Sequence, residues 1–413
     1  MRSYSRLLIS CAVLLAINVT GRAEEPITAA IPDRAWDAAF DRADGWIGGD
    51  AIYSTPLPGG DVLWLFADTY IGEVREGRRQ SGLRMVNNTL ARHRMPAAGA
   101  APDPAAVTFL WGAGTDGEDA KAWIHPDRKL PAGPRTGRGD WYWLADATLL
   151  PAGAAQERLV FFLWRTARSL TDGLGFKSVG SALAIVDNPA ADWTTWQPRQ
   201  FAIPDAFPAT ANPSGEAEIL WGSELIVDSQ TEQGPQPRHE PELYVFGCRQ
   251  RPKGANELVV ARVAVDKVEE CTQWRFRTVD GWSDQSQAAV TLATYVTTEF
   301  SVTRLPAGEH PLWVLIHTEA WFGTRIMART ARSMFGPWSK ATPVYQVPDV
   351  DGQKKHFTYA AKAHPEISRP GELLVSYVVN SFDFGESSSN AAIYRPRFVR
   401  VPYGVLPEPP NVK

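Results

Sequence analysis

Apolar and polar positions along the chain repeat five times as a pair of β-type runs joined by a turn. The first copy extends from Gly49 to Thr69, with its turn at Pro58-Gly59-Gly60 and an apolar second run at Val62–Ala67. The later copies begin near Asp146, Ser223, Glu299 and His364. Strand pairs that recur at such intervals predict an all-β fold, a five-bladed β-propeller, with a large sandwich of the same strands as the alternative.

A third β-type run follows each pair, and a tryptophan follows the third run in four of the five copies. These tryptophans are Trp111, Trp196, Trp274 and Trp338. They suggest a fourth strand in those blades. The fifth copy lacks such a tryptophan, so we expect the N-terminal segment around Trp36 to complete the last blade, which would close the ring and hide an edge strand.

The first 23 residues have the pattern of a signal peptide. Arg2 and Arg6 precede the apolar run Leu7–Val19, and small residues stand at Gly21 and Ala23 before the expected cleavage. No later segment approaches the roughly 20 apolar residues that a membrane span requires. We therefore expect a signal peptide over 1–23, one propeller domain over 24–413, and a secreted or periplasmic protein without a membrane span.

Residues 96–139 interrupt the repeat. Two stretches rich in proline, glycine and alanine, 96–102 and 131–139, flank a short central run. We interpret 96–139 as one long loop between blades that overhangs one face, since long loops in compact domains are often functional.

The net charge, the histidines and the cysteines indicate which partners and cofactors to expect. The formal net charge of −4 becomes −7 once the three arginines of the signal peptide are removed. Such a surface repels polyanions, so nucleic acid is not an expected partner. The seven histidines form no metal-binding motif, so no metal or other cofactor is predicted, while a central structural ion stays open. Cys248 and Cys271 are compatible with either a disulfide or two separate buried thiols.

Two aspartates in the first repeat are the strongest candidates for catalysis. Asp50 and Asp68 are equally spaced about Gly59, so an antiparallel hairpin that turns there makes them cross-strand neighbours with Cβ atoms about 4.5–5.5 Å apart. Two carboxyl groups so close do not both ionise readily, and one retains its proton above the ordinary pKa. Glycoside hydrolysis uses such a pair, although an acid near a turn is also often a cap or a solvated residue.

Other candidate residues open the remaining repeats or lie near strand ends. Asp146, Glu299 and His364 are predicted to face the same mouth as Asp50, because the inner strands of a propeller converge on its axis. The alternative is that each only accepts backbone hydrogen bonds or fixes the start of a strand, and a one-residue slip of register would exchange the faces. Reserve acids are Glu224, Glu319 and Glu366. Donors expected to bind sugar hydroxyls are Asn88, Arg165, Lys362 and Asn380, where a surface ion pair is the alternative for the arginine.

Several stretches of the chain carry a family resemblance. They are Gly48–Asp50, Leu65–Thr69 and, most specifically, Tyr359–Glu366 followed by Leu373–Ser381. Together they resemble a bacterial family of five-bladed β-propellers that was first filed as a domain of unknown function and that includes endo-D-arabinanases. The similarity extends from about Trp46 to Val401 and departs at Ala67, where the family commonly has glycine. It implies that Asp50 and Asp68 form a catalytic pair.

The sequence leaves two classes of function. The first is a glycoside hydrolase, a monomer that cleaves a furanose-containing polysaccharide or oligosaccharide. The alternative is a propeller that binds glycan or protein without cleaving it. The close carboxyl pair favours the enzyme, because a binding protein gains little from two groups that repel each other.

Overall fold

The computed structural model describes most of the chain from residue 30 onward. The described ranges are 30–95, 101–112, 120–129, 140–153, 156–169, 175–203, 218–228, 240–251, 255–305, 312–319, 322–348, 350 and 355–411. The predicted signal peptide, 1–23, lies outside them. None of the helices in these ranges is long and apolar enough to cross a membrane.

Within these ranges the fold is all-β, and five antiparallel sheets each contain four strands in meander order. Sheet 1 comprises Tyr53–Pro56, Val62–Phe66, Thr89–His93 and Val107–Leu110. Sheet 2 comprises Trp141–Pro151, Glu157–Arg168, Phe176–Val186 and Arg199–Ala202. Sheet 3 comprises Glu218–Asp228, Glu242–Gln250, Glu257–Ala264 and Arg275–Thr278, and is extended by Gly281–Ser283 and Ala293–Thr294.

The last two sheets follow the same plan, and a smaller sheet accompanies the first. Sheet 4 comprises Phe300–Leu305, Leu312–Thr318, Arg325–Ala331 and Thr342–Gln346. Sheet 5 comprises His356–Ala363, Glu372–Ser381, Pro396–Pro402 and the N-terminal strand Ile31–Pro32. The smaller sheet, here called the accessory sheet, comprises Asp44–Gly49, Thr69–Arg75, Arg78–Arg79 and Arg84–Val86.

Helices in the described ranges are short. The α-helices are Arg34–Ala39 and Phe384–Ser389, and the 3₁₀ turns are Pro104–Ala106, Trp193–Thr195, Val265–Lys267, Cys271–Gln273, Ser286–Ala288, Pro365–Ile367 and Tyr403–Val405. Asp33 caps the first helix, since its carboxylate accepts from the backbone N–H of Ala35 and Trp36. Trp36 then packs between Trp64 of sheet 1 and Phe398 of sheet 5. The helix therefore joins the first and last sheets in one apolar cluster.

The N-terminal strand closes the last sheet, as the missing fifth tryptophan suggests. Ile31 pairs with Arg400 and Pro32 with Val399. The other tryptophans also mark fourth strands: Trp111 directly follows one, and Trp196, Trp274 and Trp338 each precede one. The tryptophans therefore indicated that each sheet has a fourth strand, but not its bounds.

The stretch 96–139 differs from the sequence-based expectation, and the state of the two cysteines, which the sequence left open, is defined. Val107–Leu110 lies inside 96–139 and is the fourth strand of sheet 1, so that stretch is not loop throughout. Its β-branched and aromatic residues pair with Leu90–His93. The proline-rich segments on either side of this strand made the whole stretch resemble a loop in the sequence. Cys248 and Cys271 are both free thiols and pack against different apolar clusters.

Hydrogen bonds join the first strands of neighbouring sheets, which also lie against each other in order. The Asp146 carboxylate of sheet 2 accepts from Leu225 N of sheet 3 at 2.8 Å, and the Glu224 carboxylate accepts from Val302 N of sheet 4 at 3.1 Å. The Ser301 hydroxyl of sheet 4 accepts from Ala363 N of sheet 5 at 2.7 Å. Lys362 of sheet 5 donates to Ala51 O, next to sheet 1. Buried polar groups thus connect all five sheets where their first strands meet.

Candidate active site

The two aspartates lie opposite each other where the hairpin of sheet 1 passes into the accessory sheet. Tyr53 pairs with Leu65 in sheet 1 and Gly49 pairs with Thr69 in the accessory sheet, so the register is continuous across Asp50 and Asp68. Asp50 N donates to Asp68 O at 3.2 Å, and Ala67 N donates to Asp50 O at 3.1 Å. The equal spacing about Gly59 predicted this pairing correctly.

The backbone turns sharply directly after Asp50. Ala51 and Ile52 both have left-handed backbones, with φ of 69° and 58°. For residues with a side chain, and above all for a β-branched one, this conformation costs of order 1–3 kcal/mol each. The Lys362 ammonium donates to Ala51 O and lies 4.1 Å from the centre of the Tyr53 ring. Lys362 is therefore buried against the strained turn that orients Asp50.

Asp50 receives two hydroxyl donors from sheet 5 and its flanking loop. Tyr359 Oη donates to Asp50 Oδ2 at 2.8 Å, and Tyr394 Oη donates to the same oxygen at 3.0 Å. The buried Oδ1 has no hydrogen-bond partner among the described residues. Burial, followed by the charges of Asp68 and Glu299, holds the pKa of Asp50 well above its usual value, against the two tyrosine hydrogen bonds that lower it.

Asp68 has different partners and a smaller shift. Asn87 Nδ2 and Trp143 Nε1 donate to Asp68 Oδ1 at 3.0 and 2.8 Å. Burial raises the pKa of Asp68 to about 6, while these two hydrogen bonds lower it. The larger upward shift of the pKa of Asp50 favours its neutral form, and the smaller shift of Asp68 favours its anion at neutral pH. The two carboxyl groups thereby form an acid beside a base.

The other predicted acids surround Lys362. Burial raises the pKa of Asp146 to about 8 although its oxygens accept from Ala147 N and Leu225 N, each at 2.8 Å. Burial likewise raises the pKa values of Glu299 and, to a larger extent, Glu224, and the positive charge of Lys362 opposes both shifts. Lys362 thus lies among more carboxyl groups than one ammonium neutralises, which favours the neutral form of some of them.

His364 lies in a hydrogen-bonded group beside these acids. Its Nε2 contacts Ser376 Oγ at 2.7 Å, and its Nδ1 contacts Ser54 Oγ, which also donates to Glu366. Burial, and then the charge of Lys362, hold the pKa of His364 well below its usual value, so the ring is neutral. With both nitrogens occupied and the side chain almost fully buried, His364 links sheets 1 and 5 and does not present a free nitrogen to a sugar.

Three predicted sugar-binding residues differ in how much of their polar surface is free. Asn88 is fully buried: its Nδ2 donates to Ile124 O and Tyr142 O at 3.0 Å, and its Oδ1 accepts from Ile124 N at 2.9 Å. Arg165 is buried in sheet 2 opposite Tyr142. The geometry therefore does not support a sugar contact by either residue. Asn380 is half-buried at the end of its strand, and its Oδ1 accepts from Ser381 N and Ser387 Oγ.

Sequence reasoning missed two of the four groups that donate to the aspartates. Tyr394 lies between the short helix Phe384–Ser389 and the strand Pro396–Pro402, outside any regular element that would show where its side chain points. Asn87 adjoins the predicted Asn88, and only the end of the strand pairing at Thr89 shows which of the two faces Asp68. The other two donors, Trp143 and Tyr359, are aromatic residues in the first strands of sheets 2 and 5, a position that makes such residues candidates for contacts around a site.

Comparisons with solved structures find similar folds. A candidate hydrolase from Bacteroides ovatus ATCC 8483 has 19% identity over 93% of each chain, with a TM-score of 0.64. An α-L-arabinofuranosidase from Lactobacillus brevis has 15% identity over 91% of this chain and 99% of its own, with a TM-score of 0.47. A GH43_1 enzyme from Xanthomonas citri has 13% identity over 88% and 92%, with a TM-score of 0.44. The first likeness shows a shared fold, and the other two are too loose to bear on function.

Comparison by sequence gives the family. No protein with a curated description matches the chain. None of the three solved structures is described as an endo-D-arabinanase, so that part of the sequence resemblance stays a prediction. Residues 33–403, which include both aspartates and all their donors, match the family described as a domain of unknown function, DUF5005. The chain belongs to this family.

Proposed function

We propose that the chain is a secreted glycoside hydrolase on a five-bladed β-propeller, and that it cleaves a furanose-containing polysaccharide with Asp50 and Asp68. The five four-stranded sheets, their contacting first strands and the N-terminal strand in the last sheet support the propeller. The resemblance of Asp50, Asp68 and the segment around Lys362 to endo-D-arabinanases supports a D-arabinan-like substrate.

One observation carries the catalytic assignment: the paired aspartates have different hydrogen-bond partners, and their pKa values are raised to different extents. Oδ2 of Asp50 accepts two hydroxyls, whereas Oδ1 has no partner within the described residues. A proton on Asp50 therefore resides on Oδ1. Asp68 accepts two N–H donors on Oδ1, which stabilises its anion beside the neutral Asp50.

This arrangement fits acid–base cleavage of a glycosidic bond. Asp50 gives its proton to the glycosidic oxygen while the bond from that oxygen to the anomeric carbon breaks. The Asp68 anion acts at the anomeric carbon, either by taking a proton from the attacking water or by attacking the carbon itself, and the stereochemistry of the product distinguishes the two routes. In both routes Asp50 must be neutral and Asp68 ionised before the reaction starts.

The test uses the mature chain and two matched variants. D-arabinan, L-arabinan, galactan, mannan and uronate polysaccharides are incubated with the protein, and new reducing ends are measured. Asp50→Asn and Asp68→Asn are each expected to lower cleavage by about 10²–10⁴-fold, the usual contribution of a general acid or base. Their melting temperatures at neutral pH should stay close to that of the parent, because asparagine has nearly the same shape as a carboxyl group.

Asp266→Asn is the control, since Asp266 is exposed on a turn of sheet 3. Full activity of either site variant on a substrate that the parent cleaves would refute the assignment. Binding of a polysaccharide without any reducing ends from the parent chain would instead support the non-catalytic alternative.

A further inference from the structure

The site lies across the junction between the first and last sheets. Asp50 and Asp68 come from the hairpin shared by sheet 1 and the accessory sheet, whereas Tyr359 and Tyr394 come from sheet 5 and the loop that precedes its third strand. This loop, residues 384–394, crosses onto the accessory sheet, where Ala391 N donates to Gly77 O at 3.0 Å. The partners of Asp50 therefore depend on how this loop docks.

We infer that Arg79 is the positioning residue that docks this loop, and that it thereby holds the Tyr394 hydroxyl on Asp50. The inference rests on the proposed catalytic role of Asp50 and adds a residue that controls the protonation of this acid from outside the pair.

The Arg79 guanidinium is almost fully buried and donates to carbonyl groups on both sides of the junction. At 2.8 Å it reaches the carbonyls of Ser387, Asn390 and Ile393, and at 3.3–3.4 Å those of Ile47 and Tyr394. Its carbon Cζ lies 4.7 Å from the centre of the Tyr70 ring, which itself packs 5.0 Å from the ring of Tyr394. The two terminal NH₂ groups of a planar guanidinium reach this set of carbonyls, and a single lysine ammonium does not.

Tyr394 needs such support because its backbone is strained. Its φ is 57°, a left-handed conformation that a bulky residue rarely adopts, at a cost of order 1–3 kcal/mol. Tyr394 N donates to Val379 O at 2.8 Å. The accessory sheet approaches the other side of the peptide so closely that a Cβ on Gly48 would lie 2.3 Å from Tyr394 O and 2.6 Å from Arg79 Nη2. Arg79 and Gly48 thus hold the strained peptide between them.

The hydroxyl that is held this way is one of several groups that set the charge of Asp50. Asp68 and Glu299 disfavour its anion, and Tyr359 and Tyr394 stabilise it by hydrogen bonds. Lys362 also lies close enough to interact with Asp50. The hydrogen bond from Tyr394 stabilises the Asp50 anion more than the neutral acid. Without this donor, Asp50 should therefore hold its proton to a higher pH.

The experiment compares Arg79→Lys, Tyr394→Phe and the double variant with the parent chain. The first readout is the pH at which kcat/KM falls on the alkaline side. Tyr394→Phe is expected to move this limb upward by about one pH unit, the worth of a hydrogen bond to a charged group. Arg79→Lys should move it in the same direction, and the double variant should move it no further than Tyr394→Phe alone.

The second readout does not need a substrate. Because Asp50 has a raised pKa in the folded chain, its stabilising effect is present at low pH and is lost as pH rises through the folded pKa. For each protein, the melting temperature is compared with that of the same protein carrying Asp50→Asn. This difference should fall as pH rises and then level off, and it should level off at a higher pH in Tyr394→Phe and Arg79→Lys than in the parent. If no polysaccharide is cleaved, this readout alone tests the role of Arg79, so the two proposals fail separately.

Arg75→Gln, an exposed arginine of the same sheet that pairs with Glu73, is the control and should change neither readout. Loss of activity in Arg79→Lys without a displaced limb would show that Arg79 is merely structural and overturn the inference. Additive displacement in the double variant would also overturn it, because Arg79 would then act independently of Tyr394. If Arg79→Lys does not fold, Gly48→Ala presses on the same peptide and is measured in its place.

Discussion

Replacing Asp146 tests whether this buried acid connects the sheets or takes part in cleavage. Its Oδ1 accepts from Ala147 N and its Oδ2 from Leu225 N, which belongs to the next sheet. Asp146→Ala leaves both N–H groups without an acceptor. Asp146→Asn keeps one acceptor and turns an NH₂ group toward the other N–H. The structure therefore predicts a graded loss of stability rather than a loss of chemistry.

The size of the loss follows from the number of N–H groups left unpaired. A buried donor without a partner costs about 1–3 kcal/mol, so the alanine variant should lose about 2–6 kcal/mol and the asparagine variant about half of that. For a domain of this size the entropy of unfolding is about 0.8 kcal/mol per kelvin, so the melting temperature should fall by about 3–8 °C and 1–4 °C, respectively.

The deficit of the asparagine variant should also depend on pH. Burial raises the pKa of Asp146 from its ordinary value of 3.8 to about 8. The parent chain therefore loses stability as pH rises between these values and levels off above the upper one, whereas asparagine does not titrate. The gap between the two proteins should narrow from pH 5 to pH 9.

Thermal unfolding followed by circular dichroism measures both effects, with Asp266→Asn as the exposed control. Cleavage measured well below the melting temperature should change only a few-fold. An asparagine variant that melts like the parent but has lost 10²-fold or more of its activity would refute this reasoning and place Asp146 among the groups that act on the substrate.

Two more substitutions test the surroundings of the aspartates. Trp143→Phe removes the Nε1 donor from Asp68 and should raise the pKa of Asp68 above about 6, so the acidic limb of the pH–rate profile moves to higher pH. Gly48→Ala should push Tyr394 O away and lower both the melting temperature and the activity. The loss in free energy of unfolding should exceed the roughly 1 kcal/mol expected of an ordinary substitution.

Each of these has a matched control. Trp141→Phe changes the neighbouring tryptophan, whose Nε1 has no partner among the described residues, and should leave the acidic limb in place. Gly404→Ala adds a methyl group where nothing lies within 4 Å and should leave stability unchanged. An unmoved limb in Trp143→Phe, or parent-like stability and activity in Gly48→Ala, would contradict the described geometry.

The sequence was sufficient for features that depend on local spacing. The symmetric positions of Asp50 and Asp68 about Gly59 fixed their pairing, because an antiparallel hairpin has a side-chain period of two. The apolar runs located the strands of the five sheets, and the tryptophans pointed to the fourth strands. Whether the aspartates catalyse anything is not decided by either pattern.

Irregularities in the first strands were not predictable. Strand pairing shifts by one residue after Leu144 and Tyr359 and by two after Trp221, but the first strand of sheet 4 is regular. A bulge changes the facing of every later residue without leaving a mark in the apolar pattern. In the regular first strand of sheet 4, Ser301, and not Glu299, accepts the backbone hydrogen bond from the next sheet.

Contacts between residues far apart in the sequence were equally unpredictable from it. Tyr394 reaches Asp50 across 344 residues of chain, and Arg79 reaches the same loop across more than 300. Such pairs depend on how sheets 1 and 5 meet, which no local pattern encodes. The roles of Asn87 and Asn88 were also not predictable. These neighbours differ in their partners: Asn87 donates to Asp68, whereas the Asn88 amide bonds to buried backbone groups.

The strand Ile31–Pro32 in sheet 5 has a consequence for the order in which the protein becomes competent. The hydrogen bonds of Asp50 to Tyr359 and Tyr394 span 309 and 344 residues, so they form only after the two ends of the described chain have come together. Closing contacts of such high sequence separation is slow, because the loop entropy is lost before the contacts form. The hydrogen-bond environment of Asp50 is therefore completed at the end of folding, and a chain whose last sheet has not yet docked has both aspartates but not the tyrosine donors.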